Sequence, residues 1–525
     1  MMSKEIAVQP VPFKEQIKTV FLRLFNRLNF NPIKFIQLFL AVFLMLIGLN
    51  CWSETRGSTT NGNSDTTFIN HTLPPKFLIP QKHQYHQTLT MKLFLSQALF
   101  DSKLKRKDNG QSEVFLNYEQ ALEVIRKIDN LTLGIPKIIY LVGWQYNGHD
   151  SKYPAWFEGN ERLKRSRDKN SLESLKWLMK AAEKYHTTVS LHINMLDAYE
   201  DSPLWNEYVK NDIIARNRDG SLRGCEWGYP ISYAQEWKSG FAQKRIDRIC
   251  ELLPLTNAGT VHIDAFHSWP PVPLTDANGK DRTDLTKGPI SPYLKFSVED
   301  ETEAQRKIIT YWSSKGIDVT CEGVDFLRES AFEGYQPMAW WYGGLENYLK
   351  WPASYYCGGQ DNSEWGKLFG SSMHGEEIVR NDSRTLSGFK EQFCLKTAVW
   401  YYLNRLNRLY IVDSKENKMV KYSDDVSTIL SKENFAVMKG TQILVENDDI
   451  LIPAYWLGNN ALLAYSKNGY KNRSWELPAP WGDLSKIRIS RITTEGKTVL
   501  TVDRIVHLKL SISLEKDEMV LIERF

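Results

Sequence analysis

Apolar and polar positions along this chain fall into two alternating periods from about residue 117. NYEQALEVIRKIDNL (117–131) has apolar residues at helical spacing, and the apolar run PKIIYLVGW (136–144) follows it at strand length. The same succession recurs three times: SLESLKWLMKAAEKYH (171–186) before TVSLHIN (188–194), AQEWKSGFAQKRIDRICELL (234–253) before TVHIDAF (260–266), and DETEAQRKIITYWSSKG (300–316) before IDVTCEG (317–323). Helix-to-strand turns are short, whereas the strands run into long inserts at 145–170, 195–233 and 267–299. Repeated α–β units with long loops on one end predict an α/β fold, a (β/α)8 barrel over residues 71–429 with its chemistry at the strands' C-terminal ends. A doubly wound sheet is the competitor, but no glycine-rich phosphate loop follows the first strand.

Two flanking regions have other textures. Beyond about residue 430, TQILVENDDILIPAYWLGNNALLAYSK and the stretch from 486 to 525 alternate with a period near two, predicting an antiparallel β-sandwich over 430–525. Within 1–70, FIQLFLAVFLMLIGL (35–49) is almost wholly apolar and follows Lys4, Lys14, Lys18, Arg23, Arg27 and Lys34. That charge order predicts an exported protein held at the membrane, periplasmic or at the cell surface, by a signal anchor or by a lipid on Cys51. SETRGSTTNGNSDTT (53–67) reads as its polar tether.

Charge narrows the partners. With 66 basic and 62 acidic residues the net charge is +4, and no basic block tracks a phosphate backbone, so nucleic acid is not expected. Six cysteines are scattered without a CxxC pair, which argues against a zinc knuckle or a disulfide scaffold. The 17 Trp and 24 Tyr admit two readings, ordinary packing or stacking on sugar faces.

The strands themselves carry the candidate chemistry. In TVHIDAF, Val261, Ile263 and Ala265 face one way and His262, Asp264 and Phe266 the other; in SLHIN, His192 and Asn194 oppose Leu191 and Ile193. In IDVTCEG, Asp318, Thr320 and Glu322 oppose Ile317, Val319 and Cys321. In a barrel the polar ends share one rim, so Asn194, Asp264 and Glu322 should converge. Two carboxylates from different strands suit glycoside hydrolysis, one protonating the leaving oxygen while the other attacks or activates water. A strand-end carboxylate can equally cap a loop or pair with a cation. His149, His192, His262 and His267 could hold a metal, yet no HxH or HExxH spacing occurs, and hydrogen-bonded rim histidines are the commoner case. No metal and no cofactor are therefore expected.

YLVGWQYNGHDSKYPAW (140–156) resembles the catalytic domain of the endo-α-N-acetylgalactosaminidases, glycoside hydrolase family 101, and its smaller relatives in family 129. LHINMLDAYEDS, CEWGYP, VHIDAF and VTCEG come in the order of those enzymes, so the likeness covers roughly residues 130–400. The resemblance implies a retaining enzyme acting on the α-linked GalNAc that joins mucin-type O-glycans to Ser or Thr. It makes Asp264 the nucleophile and Glu322 the acid/base, about 5–6 Å apart, with Asp150 on a sugar hydroxyl and Trp227 in the sugar platform. His149, His192, Asn194 and His262 complete the expected substrate-binding set. The family pattern has a second tryptophan near Trp227, whereas here Cys225 and Tyr229 flank it, and the shorter chain favours family 129. Two rivals remain: a glycan-binding protein without turnover, and a metal-dependent barrel hydrolase.

Overall fold

A computed structural model describes residues 65–69, 79–100, 107–224, 227–266, 275, 278–280, 288–322, 335, 345, 348–349, 352, 363–370, 377–432, 434–482, 485–505 and 507–525. The apolar run 35–49, most of the tether, His267 and the aromatic stretch 338–344 lie outside them. Among the described residues no helix is long and apolar enough to cross a membrane.

Five parallel strands form the first sheet: β1 (Leu89–Phe94), β2 (Lys137–Val142), β3 (Thr187–Asn194), β4 (Thr260–Asp264) and β5 (Asp318–Cys321). They lie side by side in chain order, with no strand crossing over another. Sequential order is the pattern of a barrel wall, as opposed to the reversal of a doubly wound sheet. The expected eight-stranded closure is not found: the described residues give five strands. The strand Leu89–Phe94, ahead of the first helix read from periodicity, is an addition to the predicted elements.

Helices α1 (Tyr118–Thr132), α2 (Ser171–Ala182) and α4 (Val298–Ser314) fall in the predicted windows, whereas the single helix expected over 234–253 is broken by the left-handed Gly240 (φ 79°) into Tyr233–Lys238 and α3 (Phe241–Leu252). Capping boxes fix two of their starts, Asn117 with Gln120 and Ser297 with Asp300, satisfying backbone N–H groups that have no partner in the first turn. The apolar stripe of α1 (Ala121, Val124, Ile125, Ile128, Leu131) packs into one core with the outward residues of the strands, among them Met91, Leu93, Ile139, Leu191, Ile263 and Val319.

The C-terminal region departs from a simple sandwich over 430–525. It is an eleven-stranded antiparallel sheet that already includes Arg408–Asp413, and Asp65–Phe68 from the expected tether pairs with that strand. Asp65–Phe68 was hidden because four residues, three of them polar, carry no readable periodicity. Ala461–Ser466 is buried on both faces. Leu463 and Tyr465 join the main core, whereas Leu462 and Ala464 meet Trp475, Leu510, Ile512 and Leu514 of a two-stranded sheet in a second core. The large sheet touches α1 through Asn130, whose Nδ2 donates to Thr494 O at 2.7 Å.

Candidate active site

Strand register stacks the inner side chains in layers. Lys92, Tyr140, Ser190, Thr260 and Asp318 share one row, and His192, His262 and Thr320 share the next towards the C-terminal ends. Asn194 and Asp264 stand side by side above them, and Glu322 comes directly after the last residue of β5. The lowest row is a closed hydrogen-bond network: Tyr85 Oη donates to Asp318 Oδ2 at 2.9 Å, and Lys82 N donates to the same oxygen at 2.9 Å. Tyr140 Oη lies 2.8 Å from Thr260 Oγ1.

The segment after β2 delivers His149 and Asp150. Gly143 (φ 75°) and Gly148 (φ 119°) press against the strand Ser96–Phe100, and a Cβ on Gly143 would fall 1.8 Å from Ser96 O. Only glycine permits both that backbone and that approach. Asp108 clamps the same segment, accepting from Ser151 Oγ at 2.5 Å, Asn147 Nδ2 at 3.1 Å and Lys152 Nζ at 3.2 Å. Burial alone would raise the Asp108 carboxyl, but the hydrogen bonds of Ser151 and Gly110 and the Lys152 ammonium hold it below its ordinary range. Lys152 also pairs with Asp201 at 2.6 Å, tying this loop to the one after β3.

At the rim, buried and half-buried charged groups meet. His192 Nε2 lies 3.4 Å and His149 Nε2 3.9 Å from Asp264 Oδ2, and His149 Nε2 lies 3.4 Å from Asp150 Oδ1. Glu322 is buried beside Asp264. From below, Lys92 Nζ reaches Glu322 Oε1 at 2.5 Å. Burial raises the Glu322 carboxyl and the neighbouring Asp264 charge raises it further, while Lys92 opposes both. His262 is driven well below the usual imidazole range by burial and then by Lys92 and His192, so it is neutral. Its Nδ1 lies 3.0 Å from Thr320 Oγ1.

Asp264, Glu322, His149, Asp150, His192 and His262 are thus brought together. The two carboxyls stand close enough to interact, the Asp264 charge adding to burial in raising the Glu322 carboxyl. Asn194 is a correction. Its Oδ1 accepts from Leu196 N at 2.7 Å and Asp197 N at 2.8 Å, and its Nδ2 donates to Asp197 Oδ2, so it builds the turn leaving β3. Phe266 is another: Ala265 (φ 56°) turns the chain after β4, and Phe266 packs on Tyr233 in the core. Trp227 is 38% exposed on the loop before Tyr229–Pro230, which pairs with Asp197–Ala198 beyond β3. Lys92 and Asp108 were missed. LTMKLF did carry a signal for Lys92, which alternates with Leu89, Met91 and Leu93 in the same inner–outer pattern as the other strands.

Residues 109–275 match the family model of the endo-alpha-N-acetylgalactosaminidases, which bears out the likeness read from the sequence. The match spans about a third of the chain and contains His149, Asp150, His192 and Asp264; Glu322 lies beyond it. The chain therefore carries a stretch of glycoside-hydrolase type. Among solved structures, it is similar to an alpha-N-acetylgalactosaminidase from Bifidobacterium bifidum in complex with GalNAc, at 11% identity and a TM-score of 0.48, covering 69% of this chain and 58% of that one. A family 36 alpha-galactosidase from Geobacillus stearothermophilus aligns at 13% identity and a TM-score of 0.43, covering 83% of this chain and 55% of that one. The chain thus spans less than two thirds of either protein's length.

Proposed function

We propose that the protein is a retaining glycoside hydrolase that cleaves α-linked N-acetylgalactosamine from mucin-type O-glycans on Ser or Thr. In this reading it works outside the cytoplasm, held at the membrane by the segment 35–49. The single observation that carries the catalytic reading is the Asp264–Glu322 pair with Lys92 beneath it. Asp264 attacks the anomeric carbon while Glu322 passes its proton to the departing Ser or Thr oxygen, leaving a β-glycosyl ester on Asp264. The Glu322 carboxylate then takes a proton from water, which displaces the ester and restores the α configuration.

Charge supports this division of labour. Before attack the trio holds Lys92⁺, Asp264⁻ and a neutral Glu322; in the ester it holds Lys92⁺, a neutral Asp264 and Glu322⁻. The buried charge sum is unchanged, so neither step leaves an uncompensated ion in a low-dielectric site.

Two variants on two substrates test the reading. Glu322→Ala should cripple an O-glycopeptide yet spare the first step on a nitrophenyl glycoside, whose leaving group departs without a proton, and azide should restore turnover as the α-azide. Asp264→Ala should cost about 10⁴-fold or more on both substrates. Wild-type rates in Asp264→Ala would end the mechanism, and equal losses on both substrates without azide rescue would remove Glu322 from its role.

A further inference from the structure

We propose that His149, His192 and Asp264 form a binding site for a borderline transition-metal dication, with Zn²⁺ the best fit, and that this ion and the sugar exclude each other. The three donor atoms lie within 4.8 Å of one another, and this is the one such group of three among the described residues. Asp264 Oδ2 is 3.4 Å from His192 Nε2 and 3.9 Å from His149 Nε2. Ligand bonds of about 2.0–2.1 Å in a tetrahedron put donors about 3.3–3.4 Å apart, so one edge is already of that length and the others need only small side-chain movements.

The supports of the trio are rigid. His192 is buried on β3, and its ring stands 5.4 Å from that of His149 and 5.4 Å from that of His262. Phe94 packs edge-on against His149, and Gly148 and Asp108 fix its loop. Two imidazoles and one carboxylate are a donor set for Zn²⁺ or its neighbours; Ca²⁺ and Mg²⁺ prefer all-oxygen shells with more ligands. The fourth position would open towards the rim.

The exclusion rests on the glycosidase reading, because the ion would take the lone pair that Asp264 needs for attack. The binding does not rest on it. Such a site changes occupant with its surroundings: sugar where transition metal is scarce, an ion on a silenced nucleophile where it is not.

The test uses the full chain stripped with EDTA, with Co²⁺ as spectroscopic probe and Zn²⁺ as inhibitor. The expected result is a visible band of low-coordinate Co²⁺ in the wild type, absent from both Asp264→Asn and His192→Gln. Asp264→Asn is isosteric, so its loss of the band is not a folding defect. Zn²⁺ at about ten times its Kd should raise the apparent KM about tenfold with kcat unchanged, and EDTA should reverse it. A stripped enzyme that is active, gives no Co²⁺ band and ignores Zn²⁺ overturns the site and leaves the glycosidase reading standing. A stripped enzyme that is inactive until Zn²⁺ is returned overturns both the exclusion and the metal-free mechanism. A wild-type band lost in both variants, with no glycosidase activity under any condition, supports the site and sinks the proposed function.

Discussion

Asp318 opens β5 and Glu322 follows its last residue, both buried, and burial raises the proton affinity of each. Their partners differ. Asp318 is met by the N–H groups of Lys82 and His83 and by the Tyr85 hydroxyl, hydrogen-bond donors that stabilise its ionised form. Glu322 stands between an ammonium that favours ionisation and a carboxylate that opposes it. Hydrogen-bond donors fix a carboxylate in place, whereas opposed charges poise it between two protonation states. In the proposed mechanism the floor of this site serves stability and the rim proton transfer.

The sharpest way to break that contrast is at Lys92. Lys92→Met should lower kcat/KM about 100-fold, since Glu322 becomes a carboxylate without its cation in the ester. Lys92 depresses the Glu322 carboxyl, so its removal raises that pKa, and the alkaline limb of the kcat/KM profile should move to higher pH. An unmoved limb would make Lys92 a packing residue only.

Asp318→Ala should do the opposite. It leaves the Lys82 and His83 N–H groups without an acceptor and takes one of two partners from Tyr85 Oη, costing about 2 kcal/mol in denaturant unfolding, while kcat/KM per folded molecule changes less than twofold. A large loss of activity without loss of stability would erase the distinction between floor and rim.

Glu301 on α4 gives a smaller, cleaner comparison. It caps the helix Tyr233–Lys238, accepting from Ser232 Oγ at 2.5 Å and Ala234 N at 2.9 Å, and burial pushes it up to about 7. A folded pKa above the unfolded one means the folded state binds the extra proton, so this contribution is full below the unfolded value and fades as pH rises towards 7. Between about pH 5 and 6 the wild type should lose about 1 kcal/mol that Glu301→Gln does not. Catalysis should be unaffected, which would show that a raised carboxyl by itself does not mark an active site.

The alternation of Thr260, His262 and Asp264 against Val261 and Ile263 was legible in the sequence, as was that of His192 and of Glu322. Strand faces are set by local geometry of period two, and apolar residues must go where the helices cover them. The long inserts after the strands likewise told at which end these polar side chains gather. Those two facts were enough to bring Asp264 and Glu322 to one rim.

Which side chains touch there was not a local matter. Lys92 meets Glu322 across 230 residues of chain, and Asp108 clamps a loop 39 to 44 residues away. Asn194 was drawn into its own turn by Leu196 and Asp197, and Phe266 was diverted by the left-handed backbone of Ala265. Sequence by itself determined the faces and the functional end of this protein, because both arise from periodicity and burial along a single strand. Tertiary structure alone decided that the two acids meet above a buried lysine, because a partner across a sheet depends on how neighbouring strands slide into register.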